Sequence, residues 1–241
     1  MKKLLTGLLL MLGILANAQD DTLTVGLCAA YPPFESRDAK SGEIVGFDVD
    51  LAKEIGKIIG KKIVIKDAEW QALLGGLKNN NYNMIISAMS RQEAGANNVN
   101  LSNTYYLLSD VLVVKKDNKE IKSTKDLVDK RVGVQLGSGS EQVVDKLKGL
   151  KKVARYNYNP EAFLDLKHNR IDAVVVGYAY ALNQKNFNTE YKVVGKLAPS
   201  DLVVVMKKGK DNLTKQVNKA LETLKQNGTY DRLVEKWLAV K

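Results

Sequence analysis

Two short stretches decide the fold: DVLVVKK at 110–116 and its near echo DLVVVMK at 201–207. Each opens on Asp, runs through apolar residues of strand character and ends on Lys. Between and before them the chain repeats one grammar. Asp21–Leu27 (DTLTVGL) reads as a strand. Asp48–Ile59 (DVDLAKEIGKII) places apolar residues at a helical period, and KIVI at 62–65 is a strand. A short helix over 71–79 and a third strand over 83–86 complete a βαβαβ run. The second run has strands at 131–135, 152–156 and 173–176, with helices at 140–147, 160–169 and 178–184. Such order favours parallel sheets with flanking helices.

With the two echoing strands read as paired crossovers, the fold is α/β and discontinuous. Lobe one spans 20–109 plus 201–241, and lobe two spans 110–200. The last two helices, 211–227 and 229–240, pack on lobe one. Gly228 stops the first, and Thr229 is expected to cap the second. Two crossover strands form a hinge with a cleft between the lobes, a preferred place for a ligand.

Residues 1–18 are set aside from this reading. Lys2 and Lys3, the apolar run from Leu4 to Leu15 and the Ala16-Asn17-Ala18 site have the form of a cleavable export signal. The expectation is a soluble periplasmic product cut after Ala18. Cys28 is the single cysteine, so no intrachain disulfide is available, and it reads as a small buried residue. Net charge is +10, but the Lys residues are spread and interleaved with acids, which does not suit nucleic acid. His168 is the single His, so no metal or Ser–His constellation can be assembled, and no cofactor is expected.

The motifs carry a resemblance. AYPPFESRDAKSGEIVGFDVDLAKEI at 30–55, IISAMS at 85–90, VNLSNTYY at 99–106, KDLVDKRVGVQLGSGSE at 125–141 and NGTYDRLVEKWL at 227–238 are similar, in order, to the extracellular solute-binding proteins of family 3. These are the periplasmic receptors of polar amino-acid ABC importers. The resemblance implies the two-lobe periplasmic binding protein fold (type II), a small-molecule solute, an ABC transporter permease as partner and a monomer. It places Tyr31, Phe34 and Trp70 as aromatic walls of the cleft, with Ser87, Ala88 and Ser90 offering hydroxyls and backbone. Across the cleft, Gly137-Ser138-Gly139-Ser140 joins a strand to a helix, and in the family that loop holds the ligand's α-carboxylate. Exposed amides at a helix start suit an anion; a plain turn capped by Ser140 is the ligand-free alternative.

Two positions depart from the pattern. Gly95 stands where the family has an Arg that clamps the carboxylate, and Gly177 where it has an Asp for the α-ammonium. Arg91 lies four positions early and reads as a surface residue. The expectation is therefore a binding protein and not an enzyme, for a ligand less charged than a zwitterion or bearing one anionic group held by the loop amides. The alternatives are a receptor or adhesion role on the same scaffold, or a cyclohexadienyl dehydratase-like enzyme, for whose general acid the helix after Gly177 offers Tyr178 and Tyr180 but no carboxylate.

Overall fold

The computed structural model describes residues 21–239 apart from position 96; the expected leader at 1–18 lies outside them. The chain begins β1 (Thr22–Leu27), β2 (Ala30–Tyr31), β3 (Glu35–Arg37), β4 (Ile44–Val45), α1 (Phe47–Ile59) and β5 (Lys62–Asp67). A tight turn of helix at Trp70–Ala72 runs into α2 (Leu73–Lys78), followed by β6 (Met84–Ile85), α3 (Arg91–Gly95) and β7 (Val99–Lys115). The second half holds β8 (Arg131–Gln135), α4 (Gly139–Val144), β9 (Lys152–Tyr156), α5 (Asn159–Lys167), β10 (Ala173–Gly177), α6 (Tyr178–Leu182) and α7 (Phe187–Glu190). β11 (Tyr191–Lys207) returns to the first half, and α8 (Asp211–Gln226) and α9 (Thr229–Leu238) close the chain.

One eight-stranded sheet runs β5-β1-β6-β11-β7-β10-β8-β9. Its outer parts are parallel: β1 pairs with β5 and β6, and β8 with β9 and β10. The middle is the antiparallel pair β7–β11, which runs through both halves. The register of that pair shifts between Lys196 and Pro199 and again near Val203, so it is irregular where the halves join.

The two central strands are much longer than their apolar stretches. Residues 99–108 of β7 do not read as a plain hydrophobic strand because Asn100 and Ser102 are polar, yet both are buried. Asn100 donates to Asp211 Oδ1 at 2.7 Å on α8, and Ser102 Oγ accepts the Val204 amide at 2.8 Å. Their partners lie more than a hundred residues away, where no local pattern shows them.

Each half has its own apolar clusters. In the first, Leu51, Ile55, Met84, Val204, Val217 and Leu221 pack between the sheet, α1 and α8. In the second, Val113, Phe163, Val174 and Tyr180 lie on one face, and Leu112, Val132, Val144 and Val175 on the other. α1 shows how local chemistry sets an element. Val49, Leu51, Ala52 and Ile55 turn one apolar face inward, Asp48 and Asp50 sit in the first turn, and Gly60 ends it at φ +73°. Between α8 and α9 the cap is Gly228 itself, at φ +72°, so Thr229 is the first helical residue and not the cap.

A small sheet, β2-β3-β4, was hidden by Pro32-Pro33 and the polar turn at 38–42. It presents Tyr31 and Glu35 to the junction between the halves.

Candidate functional site

A cavity with about 50 Å³ of free volume lies where the halves meet. The first half contributes Tyr31, Glu35, Trp70, Ser87, Ala88, Ser90 and Glu93 to its wall. The second contributes Asp110, Gln135, Ser138, Gly139, Ser140 and Asn159. Among the described residues no Lys, Arg or His lines it, and three carboxyl groups do.

Side chains of the first half reach the second around this cavity. The Gly177 amide donates to the Tyr31 hydroxyl at 3.2 Å, and the Tyr31 ring stacks on Tyr180 with centroids 4.7 Å apart. Trp70 Nε1 donates to the Gly137 carbonyl at 3.0 Å. Glu93 Oε1 accepts the Gly139 amide across the cleft.

The first contact explains the glycine at 177. A Cβ there would stand 2.3 Å from the Tyr31 hydroxyl oxygen and 2.7 Å from Leu108 Cδ2. The absent side chain makes room for Tyr31. Gly137 adopts φ +74°, which a side chain would resist.

Of the expected site residues, Phe34, Gly95, Gly137 and Gly177 are not on the cavity wall. Phe34 is fully buried in the first half, edge-on to Phe47 and Tyr106, and off the cavity wall. It alternates with Tyr31 across the proline pair, and only Tyr31 faces the second half. Gly95 is exposed on α3 and off the cavity, with no atom within 4 Å of the place a Cβ would take. Arg91 binds the Ser102 carbonyl at 3.0 Å and lies 3.9 Å from Asp201, also off the cavity wall. The Ser138 hydroxyl, not Ser140, caps α4 by accepting the Glu141 amide.

The amides of Gly137, Ser138 and Gly139 are already engaged by the chain's own groups. The Gly137 amide donates to Glu141 Oε2 at 2.6 Å, the Ser138 amide to the Gln135 carbonyl at 3.3 Å, and the Gly139 amide to Glu93. An anionic ligand group on these amides, as the sequence suggested, would have to displace a carboxylate that is part of the protein.

Glu93, Asp110, Glu35, Gln135 and Asn159 escaped the reading of the sequence. Ser90-x-x-Glu93 has the spacing of a capping box, and it is one: Glu93 Oε2 accepts the Ser90 amide at 2.5 Å and Ser90 Oγ accepts the Glu93 amide at 3.2 Å. The pattern predicts a helix start, and nothing local shows that the second carboxylate oxygen reaches Gly139. Asp110 opens the apolar DVLVV run and is buried beside the Ser140 hydroxyl.

Burial dominates the electrostatics. It pushes the Glu93 carboxyl up to about 7 despite hydrogen bonds from Ser90 and Gly139, and Asp110 up to about 6. Glu35 on the wall and Asp48 behind it are both buried. Ser87 Oγ donates to Glu35 Oε1 at 2.9 Å; the Ala88 amide and the Tyr105 hydroxyl donate to Asp48 Oδ2 at 2.6 and 2.9 Å. Their other oxygens, Glu35 Oε2 and Asp48 Oδ1, have no partner as acceptors. A proton held by Glu35 and donated to Asp48 satisfies both, in keeping with a Glu35 carboxyl raised first by burial and then by the Asp48 charge. Burial also pushes the Cys28 thiol up to about 12.

A cavity of carboxyls, aromatic rings, hydroxyls and amides, without a base or a metal cluster among the described residues, is built to hold a small polar molecule. Comparison with known proteins agrees. Residues 23–240 match the family of bacterial extracellular solute-binding proteins, family 3. The chain is 32% identical over 219 residues to the L-cystine-binding protein TcyJ of Escherichia coli (strain K12), covering 90% of this chain and 82% of that protein. It is 30% identical to ABC transporter arginine-binding protein 1 of the same organism, covering 98% of this chain and 99% of that protein. Among solved structures, an ancestral arginine-binding protein bound to arginine is 40% identical with a TM-score of 0.85, covering 91% of this chain and 99% of that one. An ancestral amino acid-binding protein described as a precursor of cyclohexadienyl dehydratase is 34% identical with a TM-score of 0.84, covering 91% and 96%. The chain belongs to the bacterial extracellular solute-binding proteins, family 3.

Proposed function

We propose that this protein captures a small polar solute between two lobes and hands it to the permease of an ABC importer. The lobes are 20–109 plus 201–241 and 110–200, and β7 and β11 are the hinge strands. The observation that carries this reading is the cavity wall itself, made of side chains from both halves, which interact there through Tyr31, Trp70 and Glu93. A solute seated there adds contacts to both lobes at once, so it favours the closed form over the open one. The relatives named for cystine and arginine binding support a nitrogenous solute. The leader at 1–18 supports export to the periplasm, where such a receptor works as a monomer.

A thermal-shift panel of small polar solutes tests the reading, since a ligand of the folded state raises its melting temperature. Saturable stabilisation by at least one solute, weakened by Trp70→Ala, is expected. No stabilisation across amino acids, amines and small polyols would contradict it.

One observation favours a second reading. A Glu93 carboxyl raised to about 7 is placed to act as a general acid, the group a dehydratase needs. Against it, the cavity wall has, among the described residues, three carboxyls and no cation to receive an acidic cyclohexadienyl substrate. Incubation with such a substrate, followed by absorbance of the aromatic product, separates the two. Turnover abolished by Glu93→Gln would establish the enzyme.

A further inference from the structure

We propose that the solute is a small organic ammonium ion that carries no carboxylate, because the Glu93 carboxylate already takes, within the chain, the Gly139 amide that a ligand carboxylate would take. This rests on the capture reading above and names its ligand class.

The loop amides at 137–139 already have partners. Those of Gly137, Ser138 and Gly139 donate to Glu141, to the Gln135 carbonyl and to Glu93. Glu93 is held for this purpose from its own side too. Its second oxygen takes the Ser90 amide at 2.5 Å and its amide is tied to Ser90 Oγ at 3.2 Å. The carboxylate therefore bridges the two halves. Bringing in a ligand carboxylate would bury two anions side by side, and the penalty for an unpaired buried charge is severe.

The rest of the wall has the opposite preference. Asp110 lies on the same cavity and is 6% exposed, with Glu35 on the first-half side. Among the described residues no cationic side chain lines the space to neutralise Asp110 or Glu93; Arg91 is committed to the Ser102 carbonyl and Asp201. An ammonium group is the missing complement, with three donors for carboxylate and hydroxyl oxygens. The Tyr31 and Trp70 rings on the wall suit a cation. The free volume is small, about 50 Å³, and suits a short ligand.

The test uses pairs that differ only by a carboxylate: ethanolamine with serine, putrescine with ornithine, agmatine with arginine. Each is titrated calorimetrically into the leaderless protein and into Glu93→Gln, Glu93→Ala and Asp110→Asn, after thermal melts establish which variants fold. The wild type is expected to bind at least one amine tenfold or more tighter than its amino acid. Glu93→Gln and Asp110→Asn should each weaken the amine tenfold or more. Glu93→Ala, which frees the Gly139 amide, should narrow or reverse the preference. An amino acid bound tighter than its amine by the wild type would overturn the ammonium assignment and leave the capture reading standing. So would a preference that Glu93→Gln and Asp110→Asn both leave unchanged. Silence of every pair would also overturn it, and the wider thermal-shift panel would then show whether capture itself fails.

Discussion

At position 177 the chain gives up a Cβ, and the Tyr31 hydroxyl occupies the space that atom would need. The pair is thus a fitted contact between halves. Gly177→Ala should cost about 1–3 kcal/mol by overpacking, and Tyr31→Phe about 0.5–1.5 kcal/mol by loss of one hydrogen bond. Combined, they should cost less than the sum, because removing the hydroxyl relieves the clash. Denaturant melts of the four proteins check this; strict additivity would mean that the two groups do not meet. Cys28 offers a second residue-scale test. Its thiol, buried and raised to about 12, should resist a thiol reagent at pH 8 in the folded protein and react at once in denaturant. Rapid labelling of the native protein would contradict the burial.

Elements show what local pattern can and cannot carry. α1, β1, β8, β9 and α8 were legible because their apolar residues recur at a clean period. The central strands were legible only over 110–116 and 201–207, since Asn100 and Ser102 find their buried partners on α8 and β11. The site divides in the same way. Tyr31, Trp70, Ser87, Ser90 and the 137–140 loop were visible as motif positions. Glu93 was not, because its role depends on a hydrogen bond to Gly139, 46 residues on. Two elements carry the tryptophans, and they should report differently. Trp70 lies on the cavity and bonds Gly137, whereas Trp237 on α9 donates to Asp50 Oδ2 at 2.8 Å on α1. Trp70→Phe should abolish a solute-induced fluorescence change and Trp237→Phe should preserve it. The reverse pattern would place the solute elsewhere. On α8, Leu224 is 1% exposed, and Leu224→Ala should cost about 2–5 kcal/mol, read from the denaturation midpoint.

At the scale of the molecule, the cavity carboxyls link stability to pH. Glu93 and Asp110 stand at about 7 and 6 when folded, above 4.5 and 3.8 for the free side chains. Asp48 stands at about 6 and Glu35 is also raised. Between those limits the folded state holds more protons than the unfolded one. This contribution is therefore complete below about pH 4 and is lost as pH rises through 6 to 7. Glu93→Gln should flatten the decline between pH 5 and 7.5 in a series of denaturant melts; an unchanged slope would show that Glu93 does not titrate there. A bound cation reverses the balance by favouring the ionised carboxylates, so solute affinity should rise over the same range.

Closure around the solute is the central claim, and small-angle scattering measures it directly. The leaderless protein is compared free and saturated with the panel solute that raises its melting temperature most. The radius of gyration should fall on saturation toward about 17 Å, the value for a compact chain of this length. A radius that does not change across the concentrations that saturate the thermal shift would contradict capture between two closing lobes.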